Sequence, residues 1–198
     1  MTCRQMRGAR LRLFLAINPS VAIRARIEET VTRLRADAPE LRWVATDRVH
    51  LTVRFLGEVD PSGVAGIQNA IDAAVAQHAD APITLDRVGA FPSFRRARVL
   101  WIGVEPHPRL ELLHHDVEGA CVALGFEPEG RPFRPHLTVA RVHDGTSVDT
   151  LRALARAARR VRLSETMNVE SVDLMVSETT PIGSRYRLLH TSSLRTAA

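Results

Sequence analysis

The chain has no lysine; all 27 of its basic side chains are arginine. That absence removes several chemistries outright. A ligase that carries its nucleotide on a lysine, a Schiff-base enzyme and a standard P-loop all require a lysine amine. Cysteine is scarce as well: Cys3 and Cys121 are too few for a disulfide framework or a thiolate metal cluster. Cys121 falls in an apolar helical pattern and reads as a buried, inert thiol. No apolar run approaches the roughly 20 residues that span a bilayer. The apolar part of the start, Leu13 to Ile17, is too short for a signal-peptide core, so a cytoplasmic protein with no membrane partner is expected. There is no low-complexity segment, no clear linker and no H-E-x-x-H zinc pattern.

What is present suits one compact unit. The 198 residues are 45% hydrophobic, enough for a real core. Residues 1–10 read as a flexible basic tail and residues 11–198 as a single domain, expected to act as a monomer. The net charge of +5 suits a polyanion such as RNA, but only modestly, because replacing every lysine by arginine looks like a compositional habit.

Alternation and helical spacing divide the chain into about four helices and seven or eight strands. Strands are expected at 11–17, 41–44, 49–57, 83–91, 97–105, 135–142, 167–178 and 185–193. The last two read as a pair joined by a Pro-Ile-Gly turn. Helices are expected at 20–36, 62–78, 109–124 and 147–159. Hairpin-like neighbours favour an α+β fold over a parallel doubly wound sheet. Antiparallel sheets with helices packed on one face are expected.

One tetrapeptide occurs twice. His50-Leu51-Thr52-Val53 and His136-Leu137-Thr138-Val139 both read HLTV, each on a predicted strand. Alternate side chains on a strand share a face, so His50 lies with Thr52 and His136 with Thr138, while the leucines turn the other way. Two imidazoles and two hydroxyls meeting in a cleft suit phosphate ester chemistry. One neutral His accepts a proton from attacking water and one protonated His gives a proton to the departing oxygen. Thr hydroxyls donate to phosphate oxygens, and an arginine neutralises developing charge. Arg141 is the leading candidate for that arginine. By simple alternation Arg54 shares the face of His50. Arg131 and Arg134 precede the second motif and line the cleft mouth, and Phe91 is a candidate to stack on a base.

A single H-x-T on a strand is usually structural; two identical copies favour function. Zinc on the two His is the rival, but no paired carboxylates accompany them, so no metal site is assigned. The other six His carry little: His114 and His115 diverge on a helix, and His78, His107, His143 and His190 are isolated. Trp43 and Trp101 suit core or cleft wall.

These motifs in their surroundings carry a resemblance. RLFLAI at the first strand, LRWV before VHLTVRFLGEVD, Gly-Ala-Phe-Pro at 89–92, RVLWIGV at 98–104 and RPFRPHLTVAR at 131–141 are similar to the two-histidine (2H) phosphoesterases. Within them, the chain resembles the RNA 2′,3′-cyclic phosphodiesterases, also called 2′-5′ RNA ligases, from about Arg12 to Leu194. Arg10 and the residues before it fall outside the pattern, and Met6 offers an alternative start. The resemblance implies a bilobal α+β fold, two antiparallel sheets facing a central cleft with helices packed on the outside. It also implies hydrolysis of a terminal RNA 2′,3′-cyclic phosphate to a 2′-phosphate, with neither metal nor nucleotide cofactor. It implies that His50 and His136 form the catalytic pair and that Thr52, Thr138 and Arg141 bind phosphate. His50 is assigned as acid to the 3′ oxygen and His136 as the group that activates water. Reversible 2′-5′ ligation is the same reaction with a 5′-hydroxyl in place of water. The alternatives are a 2H phosphoesterase for a small cyclic-phosphate nucleotide and a non-catalytic RNA-binding module.

Overall fold

The computed structural model describes residues 10–180 and 183–197. The expected tail, except Arg10, lies outside the described residues, as do Pro181 and Ile182 of the last expected turn. In chain order the elements are β1 (Leu11–Ile17), α1 (Val21–Asp37), β2 (Arg42–Trp43), β3 (Leu51–Val59), α2 (Val64–Val75), β4 (Ala81–Phe91), β5 (Val99–Val104), α3 (Pro108–Ala123), β6 (His136–Arg141), α4 (Val148–Arg160), β7 (Glu165–Val169), β8 (Ser171–Thr180) and β9 (Gly183–Ser193). Ser20 caps α1 by accepting from the Ile23 N–H, and Ser147 caps α4 by accepting from the Thr150 N–H.

The strands run in the order β7-β4-β5-β6-β3-β1-β8-β9, with the two-residue β2 added on β6. Every pair among these strands is antiparallel. The two expected antiparallel lobes are therefore present, β7-β4-β5-β6 and β3-β1-β8-β9. They are joined at one seam, where β3 meets β6 through the single register pair Leu51↔Leu137. The two HLTV strands are thus neighbours that touch at one point. Together the lobes make a curled half-barrel with four helices. Helix α1 packs on α4 and reaches β7, while α2 packs on α3 and reaches β8 and β9.

The core explains why the motifs sit where they do. Leu51 and Leu137 are fully buried, as are Leu13, Leu15, Leu100 and Ile102 on adjacent strands. Burial of each such leucine stabilises the fold by about 2 kcal/mol. It also holds the alternate residues, His and Thr, on the opposite face.

One expected strand proves to be two. The stretch read as 167–178 breaks at Glu170: β7 pairs with β4 in one lobe, and β8 pairs with β1 in the other. Burial falls on Met167 and Val169, then shifts phase to Val172, Leu174 and Val176. The phase changes where the partner changes from β4 to β1, so the chain crosses between lobes there. The pairing of the last two strands, β8 with β9, is as expected.

Candidate active site

Both motif histidines are oriented in the same way. The Nδ1–H of His50 donates to the carbonyl of Arg48 at 2.8 Å, and that of His136 to the carbonyl of Arg134 at 2.7 Å. A carbonyl only accepts, so this contact selects the tautomer with the proton on Nδ1. Each Nε2 is left without a protein partner among the described residues. Both rings line one cleft of about 560 Å³ with Thr52, Thr138, Arg131, Arg141 and Phe91. Because Leu51 pairs with Leu137, the antiparallel register puts His50 opposite Thr138 and Thr52 opposite His136. The repeat thereby becomes a pseudo-twofold site about the seam.

The valine of each HLTV has its own task. Opposite β3, Ala16 pairs with Thr52 and Leu15 with Arg54, so Val53 is an extra, unpaired residue. Opposite β6, Trp101 pairs with Thr138 and Leu100 with Ala140, so Val139 is extra. Both are β-bulges, which reverse the alternation beyond them. The residue three positions after each Thr therefore faces the cleft: Arg141 in one half, Phe55 in the other. Phe55 is 61% exposed there, which no core role would explain.

The bulge also corrects the expectation for Arg54, which does not share the cleft face of His50. It is 5% exposed, on the core side. Its Nη1 pairs with Glu118 of α3 at 2.7 Å and reaches Glu129 at 3.7 Å, and its Nη2 donates to the Glu127 carbonyl. Arg54 thus ties down the loop between α3 and β6. The side chain of Arg134 likewise does not line the cleft; the residue contributes its backbone carbonyl to His136.

Aromatic rings wall each imidazole. Phe14 and Tyr186 lie 5.0 and 5.2 Å from the His50 ring, Tyr186 edge-on. Phe91 lies edge-on to His136 at 5.0 Å, with Trp101 behind at 6.3 Å. Trp101 lies flat because its strand neighbours are glycines. A Cβ on Gly89 would stand 2.2 Å from the indole, and one on Gly103 2.9 Å.

The electrostatics favour an anion. Arg12, Arg48, Arg131 and Arg141 line the cleft, and no carboxylate does so among the described residues. The Thr52 and Thr138 hydroxyls make no hydrogen bond to protein among the described residues, which leaves them available as donors. Burial lowers the pKa of both imidazoles; the contact to the Arg48 or Arg134 carbonyl partly opposes this. His50 is lowered further by the positive charge of Arg24 and by His136. Arg24 also donates to the carbonyls of Thr46 at 2.6 Å and Val49 at 3.1 Å, bracing the turn that leads into His50.

The remaining histidines lie elsewhere. His78 pairs with Asp116, His190 with Asp72, and His114 stacks on Phe133 at 3.9 Å. Among the described residues no group of three or more His, Cys, Asp or Glu side chains is placed to hold a metal. No helix among them is long and apolar enough to cross a membrane. Sequence reasoning missed Phe14, Phe55, Arg12, Arg24 and Arg48, and left Tyr186 open between the core and a base-stacking role. The phase of LRLFLAI would have found Arg12 and Phe14; the others depend on bulges and distant pairings.

A family model described as the 2′-5′ RNA ligase superfamily matches residues 20–181. The RNA 2′,3′-cyclic phosphodiesterase of Methanothermobacter thermautotrophicus is 30% identical over 177 residues, 89% of this chain and 95% of that relative. Among solved structures, TT0787 of Thermus thermophilus superposes with a TM-score of 0.78 at 25% identity, covering 95% of this chain and 100% of that one. Apo LigT of E. coli superposes at 0.73 with 27% identity, covering 96% and 100%.

Proposed function

The chain belongs to the 2′-5′ RNA ligase superfamily, and on that premise we propose that its cleft opens RNA 2′,3′-cyclic phosphate ends to 2′-phosphate ends by paired acid–base catalysis. His136 Nε2 takes a proton from water as the water oxygen bonds to phosphorus. The bond from phosphorus to the 3′ oxygen breaks, and that oxygen receives the proton of His50 Nε2, leaving a 3′-hydroxyl and a 2′-phosphate. Thr52 and Thr138 donate to the non-bridging oxygens, and Arg141 faces the growing negative charge. The observation that carries this reading is the matched pair of Nδ1-to-carbonyl contacts at His50 and His136. They leave two free Nε2 atoms in one cleft lined by arginine.

The assignment of roles rests on the asymmetry at the two bulges alone, since Arg12, Arg24 and Arg48 put positive charge in the His50 half as well. Arg141 lies in the His136 half, where the attacked phosphate gathers charge. Phe55, Phe14 and Tyr186 lie in the His50 half and suit the apolar faces of a nucleoside, whose 3′ oxygen departs. The reaction calls on no metal and no nucleotide cofactor, and run backwards with a 5′-hydroxyl it forms a 2′-5′ linkage. The enzyme works as a cytoplasmic monomer on this reading.

The test is a short RNA with a 2′,3′-cyclic phosphate end, incubated with protein in EDTA and followed by phosphorus NMR. A 2′-phosphate is expected, and His50→Ala or His136→Ala should each slow its formation by about 10² to 10⁴. Wild-type rates in either variant would remove that residue from the mechanism. Loss of activity in EDTA, restored by zinc, would move the chemistry to a metal.

A further inference from the structure

Beyond the cleft, a second concave surface lies on the lobe that carries His136. Residues Phe94 and Arg95 and the outer face of α4 enclose a groove of about 450 Å³. The α4 residues that line it, Val148, Leu151, Arg152, Ala155, Arg156 and Arg159, recur at helical spacing, while Leu154, Ala157 and Ala158 face the core. Its floor is apolar: Val148 is 62% exposed, and Phe94 and Leu151 are only partly covered. Its walls are arginine. Arg152 pairs with Asp149 at 3.2 Å, but Arg95, Arg156 and Arg159 have no ion-pair partner among the described residues. Arg152 to Arg159 spans about 10 Å along the helix axis.

Chain neighbours connect the groove to the cleft. Phe91 lines the cleft, and the next residue, Pro92, begins an open concavity of about 490 Å³ formed with Ser93, Arg95 and Arg96. Arg95 then lines both this concavity and the α4 groove. Both concavities beyond Phe91 are lined by arginine.

We propose that the groove between α4 and residues 94–95 is a second RNA subsite that holds the single-stranded body of the substrate, upstream of its cyclic end. This rests on the reading of the cleft as an RNA 2′,3′-cyclic phosphodiesterase site. Unpaired guanidinium groups bind phosphates by forked hydrogen bonds, and an apolar floor accepts a base face without regard to sequence. Arginines above exposed valine and phenylalanine match a single strand, which offers both groups in alternation.

The test uses Arg95→Gln/Arg156→Gln/Arg159→Gln, which keeps good helix formers on α4 and touches nothing in the cleft. Binding is read by fluorescence anisotropy with a labelled octaribonucleotide ending in a 3′-hydroxyl, between 50 and 200 mM salt. Losing three phosphate contacts lowers the slope of log affinity on log salt by about 2, so wild type should lose about 15-fold more affinity over that range than the variant. Turnover of a nucleoside 2′,3′-cyclic monophosphate should be unchanged in the variant, while kcat/KM for an octamer with a cyclic end falls about tenfold or more. Equal salt slopes, or equal falls for both substrates, overturn the proposal. So does polyglutamate displacing the octamer as well as unlabelled RNA does. If wild type turns over neither substrate, the cleft reading fails, and the salt slopes alone still decide whether the groove binds RNA.

Discussion

Arg54 separates two readings of β3 that the same sequence permits. Strict alternation puts its guanidinium in the cleft; the bulge at Val53 puts it in the core beneath the site. Arg54→Met distinguishes them. The substitution keeps an unbranched side chain but removes the charge that faces Glu118 at 2.7 Å. Glu118 is only 18% exposed, and its remaining hydrogen bond among the described residues is from the N–H of Glu129 at 2.7 Å. Removing one partner of a buried ion pair costs about 3 to 5 kcal/mol, because the other charge is stranded. The residual exposure of Glu118 sets the expectation near the low end, about 3 kcal/mol. For a chain of this size that is a fall in Tm of about 6 to 12 °C. Arg54→Met/Glu118→Leu removes both charges and should recover most of the loss.

The assay pairs thermal or urea unfolding with kcat/KM measured well below the variant's Tm. A destabilised protein with less than about a tenfold loss of activity is expected, since Arg54 touches no reacting group. A residual effect on activity is expected through the loop that carries Arg131 into the cleft, which Arg54 holds by way of Glu127 and Glu129. A variant with unchanged Tm and a hundredfold loss of kcat/KM would refute the reasoning, because only an Arg54 in the cleft behaves that way.

Other perturbations test the site itself. Burial holds both imidazoles below 6.5, so the bell of kcat/KM against pH, which reports the free enzyme, should centre on the acid side of that value. Arg24→Gln removes a cation that lowers His50, so the limb belonging to His50 should move to higher pH; movement to lower pH would contradict the electrostatic account. Gly89→Ala sets a methyl 2.2 Å from the Trp101 indole and pushes that ring against its neighbours Phe91 and His136. A displacement of about 1 Å there should cost about 10² in kcat, and an unchanged kcat would show that the packing behind His136 is not needed. Cys121 is fully buried, and burial pushes its thiol up to about 11. Iodoacetamide at pH 8 should leave it unmodified until the protein unfolds, as peptide mass mapping would detect.

Much of this molecule was legible because burial leaves a period. The alternation of LRLFLAI and the helical spacing of Ile27, Val31 and Leu34 marked their elements, and the repeat of HLTV marked the residues of the cleft. What stayed hidden depends on pairing rather than period. A bulge is one residue without a partner, and nothing in HLTVR distinguishes it from a regular strand. Counting by twos therefore sent Arg54 to the wrong face and overlooked Phe55. The partners of Arg54 lie on α3 and the loop after it, beyond the reach of any local pattern. Tyr186 reaches His50 only because β9 follows β8 back along β1. The break at Glu170 was different, since the phase slip from Val169 to Val172 is written in the sequence and was read through. The two bulges also explain why the repeat is four residues and no longer. Up to the valine both halves must do the same thing: hold an imidazole by its Nδ1, bury a leucine at the seam and present a hydroxyl. Beyond it they diverge, and the first side chain that returns to the cleft is Arg141 in one half and Phe55 in the other. A symmetric frame thereby carries unlike side chains, an arginine after the bulge of the His136 half and a phenylalanine after that of the His50 half. On the proposed reading a nucleoside cyclic phosphate meets that difference, and it is what would give identical histidines different work.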